Sequence, residues 1–196
     1  MAHRSTNFLR VIQVLRVKSF TYYSEQRNTN NEFEQARPRH PAAKLNGKEM
    51  HSVPISFDQE CPTIRVEFER IEEGTNRFHY LLIARVIGQY RDGSRGNSDA
   101  RYIRGMISTA VELWRPAGVI IDFTQMKYEW GDMLEIVYDA TEDTQSAYVV
   151  GPGCRRAMST LCYGVDSTRD IIEQDGFYDS PEAAYIALKK IIRKSW

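Results

Sequence analysis

The apolar pattern of residues 78–123 constrains this chain more than any other feature. Phe78 to Gly88 is a nearly continuous apolar run of strand length, and Val119-Ile120-Ile121-Asp122-Phe123 is a second, shorter one. Runs of this kind suit strands covered on both faces, as in sheets flanked by helices. Between them the period changes. Ile103, Met106, Ile107, Ala110, Leu113 and Trp114 recur at helical spacing, forming the buried stripe of an amphipathic helix. Asn97 or Ser98 caps its start, Asp99 is placed to favour its positive end, and Pro116-Ala117-Gly118 stops it.

The flanking residues extend the alternation. Thr63 to Ile71 has Ile64, Val66, Phe68 and Ile71 apolar, with Arg65, Glu67 and Glu69 polar between them. That is a half-exposed strand with a bend expected at Arg70. The turn Glu73-Gly74-Thr75-Asn76 joins it to the next strand closely enough for a hairpin. Downstream, the sequence predicts a helix from Gly131 to Ala140 and a strand from Ala147 to Val150. Gly151-Pro152-Gly153 leads into a helix over 154–163, and Phe177-Tyr178 forms a last brief strand. The final helix is capped by Ser180, opened by Pro181, and striped by Ala184, Ala187, Leu188 and Ile191. The fold class is therefore α/β, a mixed sheet of four or five strands with helices packed on it.

Charge divides the chain. Residues 1–50 carry nine Lys and Arg against four Asp and Glu, a balance of +5, and the remainder carries seventeen against twenty-two, a balance of −5. Residues 1–62 read as a basic N-terminal extension and a linker broken by Pro38, Pro41, Pro54 and Pro62; residues 63–196 read as the folded domain. Within 1–24, Leu9, Ile12 and Leu15 among bases resemble a transit peptide or a membrane-surface helix, and the plainer reading is a loose N-terminal helix or strand or an upstream extension. An acidic folded domain disfavours general nucleic-acid binding. No apolar run approaches the ~20 residues a membrane helix requires. Cys61, Cys154 and Cys162 form no pattern with the four histidines, which points to a reducing, cytoplasmic setting without a structural metal.

Two stretches carry a family resemblance. Asp122-Phe123-Thr124-Gln125-Met126-Lys127-Tyr128-Glu129-Trp130-Gly131-Asp132-Met133-Leu134 resembles the STAS pattern of a strand ending in Asp, a short loop, and Asp-Ser at a helix start. Gly176-Phe177-Tyr178-Asp179-Ser180-Pro181-Glu182-Ala183-Ala184 resembles the last strand and capped final helix of that family. The resemblance spans residues 63–194 and implies the fold of anti-sigma factor antagonists and sulfate-transporter tails. It also implies binding to another protein. The chain departs from the family where the antagonists carry a phosphorylated Ser preceded by Asp: here stand Gly131 and Trp130. A glycine accepts no phosphate, so the switch implied by the family is missing at that position. Asp132 leaves a fixed charge one residue on.

From Tyr128 to Thr144 there are six acids and no base. On a helix, Glu129, Asp132, Glu135 and Asp139 would share one flank, where they repel one another mildly. A solvated face is the plain reading. The functional one is an acidic surface for a basic protein partner, in which Trp130 either stands out as an anchor or plugs the end of the sheet. The expected binding residues are Tyr128, Glu129, Trp130, Gly131, Asp132, Glu135 and Asp139. They suit a non-catalytic regulatory or neutralising module, of immunity type, whose partner is a toxin, an anti-sigma-type kinase or a second copy of itself. The alternative is a small-molecule or nucleotide site, possibly a weak enzyme, at Gly151-Pro152-Gly153 with Arg155, Arg156 and Asp122. That turn lacks a Walker lysine, and Pro152 removes one N–H donor. No cofactor, catalytic residue, metal site or membrane partner is expected.

Overall fold

The computed structural model describes residues 43–45, 48–50, 53–72 and 80–194. The basic segment 1–24, the turn 73–76, Phe78 and all four histidines lie outside the described residues.

Three short elements precede the expected domain. β1 (Ala43–Leu45) pairs antiparallel with β2 (Lys48–Met50), Leu45 opposite Lys48. The intervening sequence is Asn46-Gly47, a dipeptide suited to two-residue hairpin connections. α1 (Phe57–Glu60) is a single turn whose Glu60 carbonyl accepts from the Arg91 guanidinium at 2.8 Å. None of the three is long enough to show a period.

β3 (Ile64–Glu72) and β4 (Tyr80–Gln89) form the hairpin, paired without interruption from Ile64 opposite Gly88 to Glu72 opposite Tyr80. The expected bend at Arg70 is absent. Arg70 instead lays its guanidinium over the Tyr80 ring, 4.2 Å from the centroid, so a charged residue occupies an apolar register position without breaking the strand.

α2 (Gly96–Trp114) follows a 3₁₀ turn at Gly93–Arg95 and starts before the expected cap. Asp99 does not sit in solvent at its positive end. It is fully buried, accepting the Arg91 N–H at 2.9 Å and pairing with the Arg91 guanidinium at 2.7 Å. Ala100, Ile103, Ile107 and Ala110 form the buried stripe, whereas Leu113 and Trp114 are exposed. At the helix end, Trp114 meets Phe68 edge-on at 5.4 Å rather than entering the core.

β5 (Gly118–Asp122), β6 (Met126–Lys127), a 3₁₀ helix at Leu134–Thr141, β7 (Ser146–Val149), α3 (Arg155–Tyr163), a 3₁₀ turn at Ile171–Glu173, β8 (Phe177–Tyr178) and α4 (Pro181–Lys194) complete the chain. The sheet runs β3-β4-β5-β7-β8, antiparallel at β3–β4 and parallel from there on, and β6 extends the β4 pairing past the end of β5. Among the described residues the mixed sheet thus has the expected five strands in its main path and β6 as a sixth beside them. The extra one has two residues and follows a tight turn.

Alternate residues of the strands face opposite layers. Leu82, Ala84, Val86, Val119, Ile121 and Tyr148 pack with α2, the 3₁₀ helix and α3 in the larger core. Leu81, Ile83, Ile120, Ala147 and Val149 pack with Ala184 and Leu188 of α4. The loops that leave β5 and β7 emerge side by side at the sheet's carboxyl edge, where the candidate site lies.

Candidate functional site: the Trp130 turn and its groove

The loop leaving β5 is shaped first by Asp122. Its carboxylate accepts the Thr124 N–H at 2.8 Å and lies 3.5 Å from the Arg85 guanidinium, which also pairs with Glu69. These contacts give Asp122 a part in shaping the loop.

Two tyrosines then hold the turn from behind. The rings of Tyr90 and Tyr128 meet edge to face at 5.1 Å. The Tyr90 hydroxyl donates to the Asp132 carbonyl at 2.6 Å, and the Tyr128 hydroxyl donates to the Gly131 carbonyl at 3.0 Å. Burial pushes both phenols well above the ordinary tyrosine range, with nearby acids adding to the shift, so both remain donors at any ordinary pH. Glycines make room for them. A Cβ on Gly96 would stand 2.2 Å from the Tyr90 ring, and one on Gly131 would stand 3.1 Å from it. Gly93, in the left-handed region at φ +59°, lets the edge of the Trp130 indole approach to within 2.9 Å of where its own Cβ would be.

The expected binding residues separate on this frame. Trp130 is 61% exposed and Glu129 is exposed; Gly131 and Asp132 are half-buried. Tyr128 is buried and supports the turn from within. Glu135 and Asp139 are half-buried on the 3₁₀ helix. The single acidic flank does not form. Glu129 and Asp132 precede the helix, and at three residues per turn Glu135 and Asp139 point about 120° apart. The helix also begins at Leu134 rather than Gly131, after Met133 in a left-handed conformation.

An open groove of about 620 Å³ lies between this turn and α3. Glu129, Trp130 and Gly131 line one wall; Arg156, Ala157, Leu161 and Val165 line the other. Sequence reasoning missed Tyr90, Gly93 and Gly96 behind the turn, and Leu161 and Val165 across the groove. Tyr90, an aromatic in a polar glycine-rich loop, was the available signal.

The Gly151-Pro152-Gly153 turn serves packing. A Cβ on Gly151 would stand 2.5 Å from the Thr124 backbone, and one on Gly153 would stand 2.8 Å from the Met126 carbonyl. The Gly153 carbonyl also accepts the Tyr128 N–H at 2.9 Å. Arg155 grips Asp170 with two nitrogens at 2.7–2.9 Å and holds that carboxyl below its usual range; Arg156 reaches the Ser167 carbonyl at 3.4 Å. Arg155 turns toward the segment after α3, and Arg156 reaches the same segment from the wall of the groove. Cys154 is buried, and burial raises its thiol to about 11. No cluster of metal-ligating side chains and no helix long and apolar enough to cross a membrane occurs among the described residues.

Solved structures similar to this chain include two anti-sigma factor antagonists. One is an anti-sigma factor antagonist from Mycobacterium paratuberculosis, 16% identical, covering 66% of this chain and 97% of its own, with a TM-score of 0.46. The other is the anti-sigma factor antagonist SpoIIAA in its unphosphorylated form, 14% identical, covering 63% and 98%, with a TM-score of 0.35. No protein-family model matches the chain, and no curated protein matches it.

Proposed function

We propose that this domain is a non-catalytic module that regulates or neutralises another protein by binding it, with the turn Tyr128–Asp132 as the contact. One observation carries the reading. A tryptophan 61% exposed stands on a turn whose backbone is held by two buried phenols. A solvent-facing indole on a fixed frame has little conformational freedom left to lose, the condition under which an aromatic anchor contributes most to an interface. Glu129 and Asp132 beside it suit a basic partner, whether a toxin, an anti-sigma-type kinase or another copy of the chain. Gly131, where the family resemblance places a phosphorylated Ser, leaves this contact without a phosphate switch. A cytoplasmic setting fits the buried free thiols Cys61 and Cys154.

The test is affinity capture with the full chain, compared with Trp130→Ala and Asp132→Lys. Both variants should lose the captured protein while melting at the same temperature as the parent, and capture should weaken as salt rises. Equal capture by all three chains would overturn the reading.

A further inference from the structure

We infer that the groove between the Trp130 turn and α3 is the seat for one apolar side chain of the partner, flanked on one side by a Lys or Arg. The inference rests on the reading above that the Trp130 turn is the binding face, and it adds the opposite wall and the chemistry of the occupant. Two exposed apolar residues, Trp130 at 61% and Val165 at 74%, both line this groove. They belong to segments more than thirty residues apart, one after β5 and one after α3. Singly exposed apolar residues need no explanation, but two converging on one concavity mark a contact site. Ala157 and Leu161 continue the apolar wall between them.

Tyr128 and Cys154 in the lining are buried while Trp130 and Val165 are exposed, so an occupant that covers the exposed pair as well as the recess must extend beyond it, as a side chain projecting from a larger body does. The volume, about 620 Å³, falls within the ~300–1,000 Å³ span of ligand-sized clefts and leaves room for the backbone that carries the anchor. Charge sets the orientation. Glu129 is exposed on the turn wall, and Arg156 stands on the helix wall. A base beside the anchor is therefore attracted on the Trp130 side and repelled on the α3 side, so the complementary segment is basic on one side of its anchor only.

The experiment selects peptides from a random twelve-residue phage library on the full chain. Enriched sequences should share an apolar residue with Lys or Arg on one side. Synthetic peptides made from them should lose affinity by about tenfold or more on Trp130→Ala, Val165→Asp and Glu129→Lys chains, the scale of an anchor contact. Val165 is exposed, so Val165→Asp should leave the melting temperature unchanged. Failure to enrich, an acidic consensus, or peptides indifferent to Val165→Asp overturns the groove assignment. If partner capture still depends on Trp130 in that case, the binding face stands and only the groove falls. Capture indifferent to both Trp130→Ala and Val165→Asp removes both.

Discussion

Gly96 opens α2, where helix propensity favours alanine over glycine by about 1 kcal/mol. Packing opposes that preference. An added methyl would lie 2.2 Å from the Tyr90 ring and 2.4 Å from the Arg91 carbonyl oxygen. Neither neighbour can give way easily, because Tyr90 is fully buried with its hydroxyl bonded to Asp132, and the other contact is backbone. Overpacking of a buried site costs about 1–3 kcal/mol, enough to exceed the propensity gain. Gly96→Ala should therefore destabilise the fold by up to about 2 kcal/mol net in chemical denaturation. A stabilised variant would mean that the tyrosine frame behind the Trp130 turn is loose. The arrangement also explains what sequence reading could not reach. Tyr90 is buried because Gly96 and Gly131 leave space on either side of it; an aromatic in a polar loop signals a ring with a place to pack, but not that Gly131, far along the chain, helps to make that place.

At the scale of elements, long apolar periods were legible and short irregular ones were not. β3, β4, α2 and β5 each carry enough residues for a period to emerge. The segment 134–141 misled instead. Its buried Leu134, Val137, Tyr138 and Thr141 keep α-helical spacing, yet the segment winds as a 3₁₀ helix, and the expected acidic flank depended on the α-helical choice. The two residues of β6 have no period at all. The link between α3 and the turn at Ile171–Glu173 was equally hidden, because Arg155 and Asp170 lie fifteen residues apart. Asp170 also accepts the Ile172 N–H as the turn's cap. Arg155 lowers the Asp170 pKa in the folded chain, so the unfolded chain takes up the proton first as pH falls. The pair's contribution is present above the ordinary carboxyl range and is lost as pH drops through the folded value. Asp170→Asn keeps the capping oxygen and removes the charge. Both partners are about a third exposed, so the stability difference at pH 7 should be no more than about 1 kcal/mol, beginning to shrink only below roughly pH 4 and gone once pH is under the lowered folded value. Thermal melts of the two chains across pH 3–7 (about four units, spanning the carboxyl range) measure it; a constant difference would show that the pair contributes nothing through its charge.

Over the whole molecule, the two faces of the sheet are covered unequally. α2, the 3₁₀ helix and α3 share the larger core, while α4 covers the other face at β5, β7 and β8. Which face each helix takes was not legible, because an amphipathic stripe fits either side and only the pairing of distant strands decides. The close approach is visible at Gly118, where a Cβ would come 2.9 Å from Ile192 and 3.1 Å from Leu188. Leu188 is fully buried against this face, so Leu188→Ala should cost about 3 kcal/mol in transfer and cavity terms. That is a large share of the ~5–15 kcal/mol total of an ordinary domain. The loss should also be local. On the opposite face a truncated residue keeps neighbours from several elements, but α4 is held by one layer of contacts to Leu81, Ile83, Ile120, Ala147 and Val149. Amide exchange in Leu188→Ala should therefore quicken more along α4 than along β4 and β5, as expected of a helix opening before the domain unfolds. Uniform quickening across helix and sheet would show instead that α4 is part of one cooperative unit with the core beneath α2, and that the unequal covering has no energetic consequence.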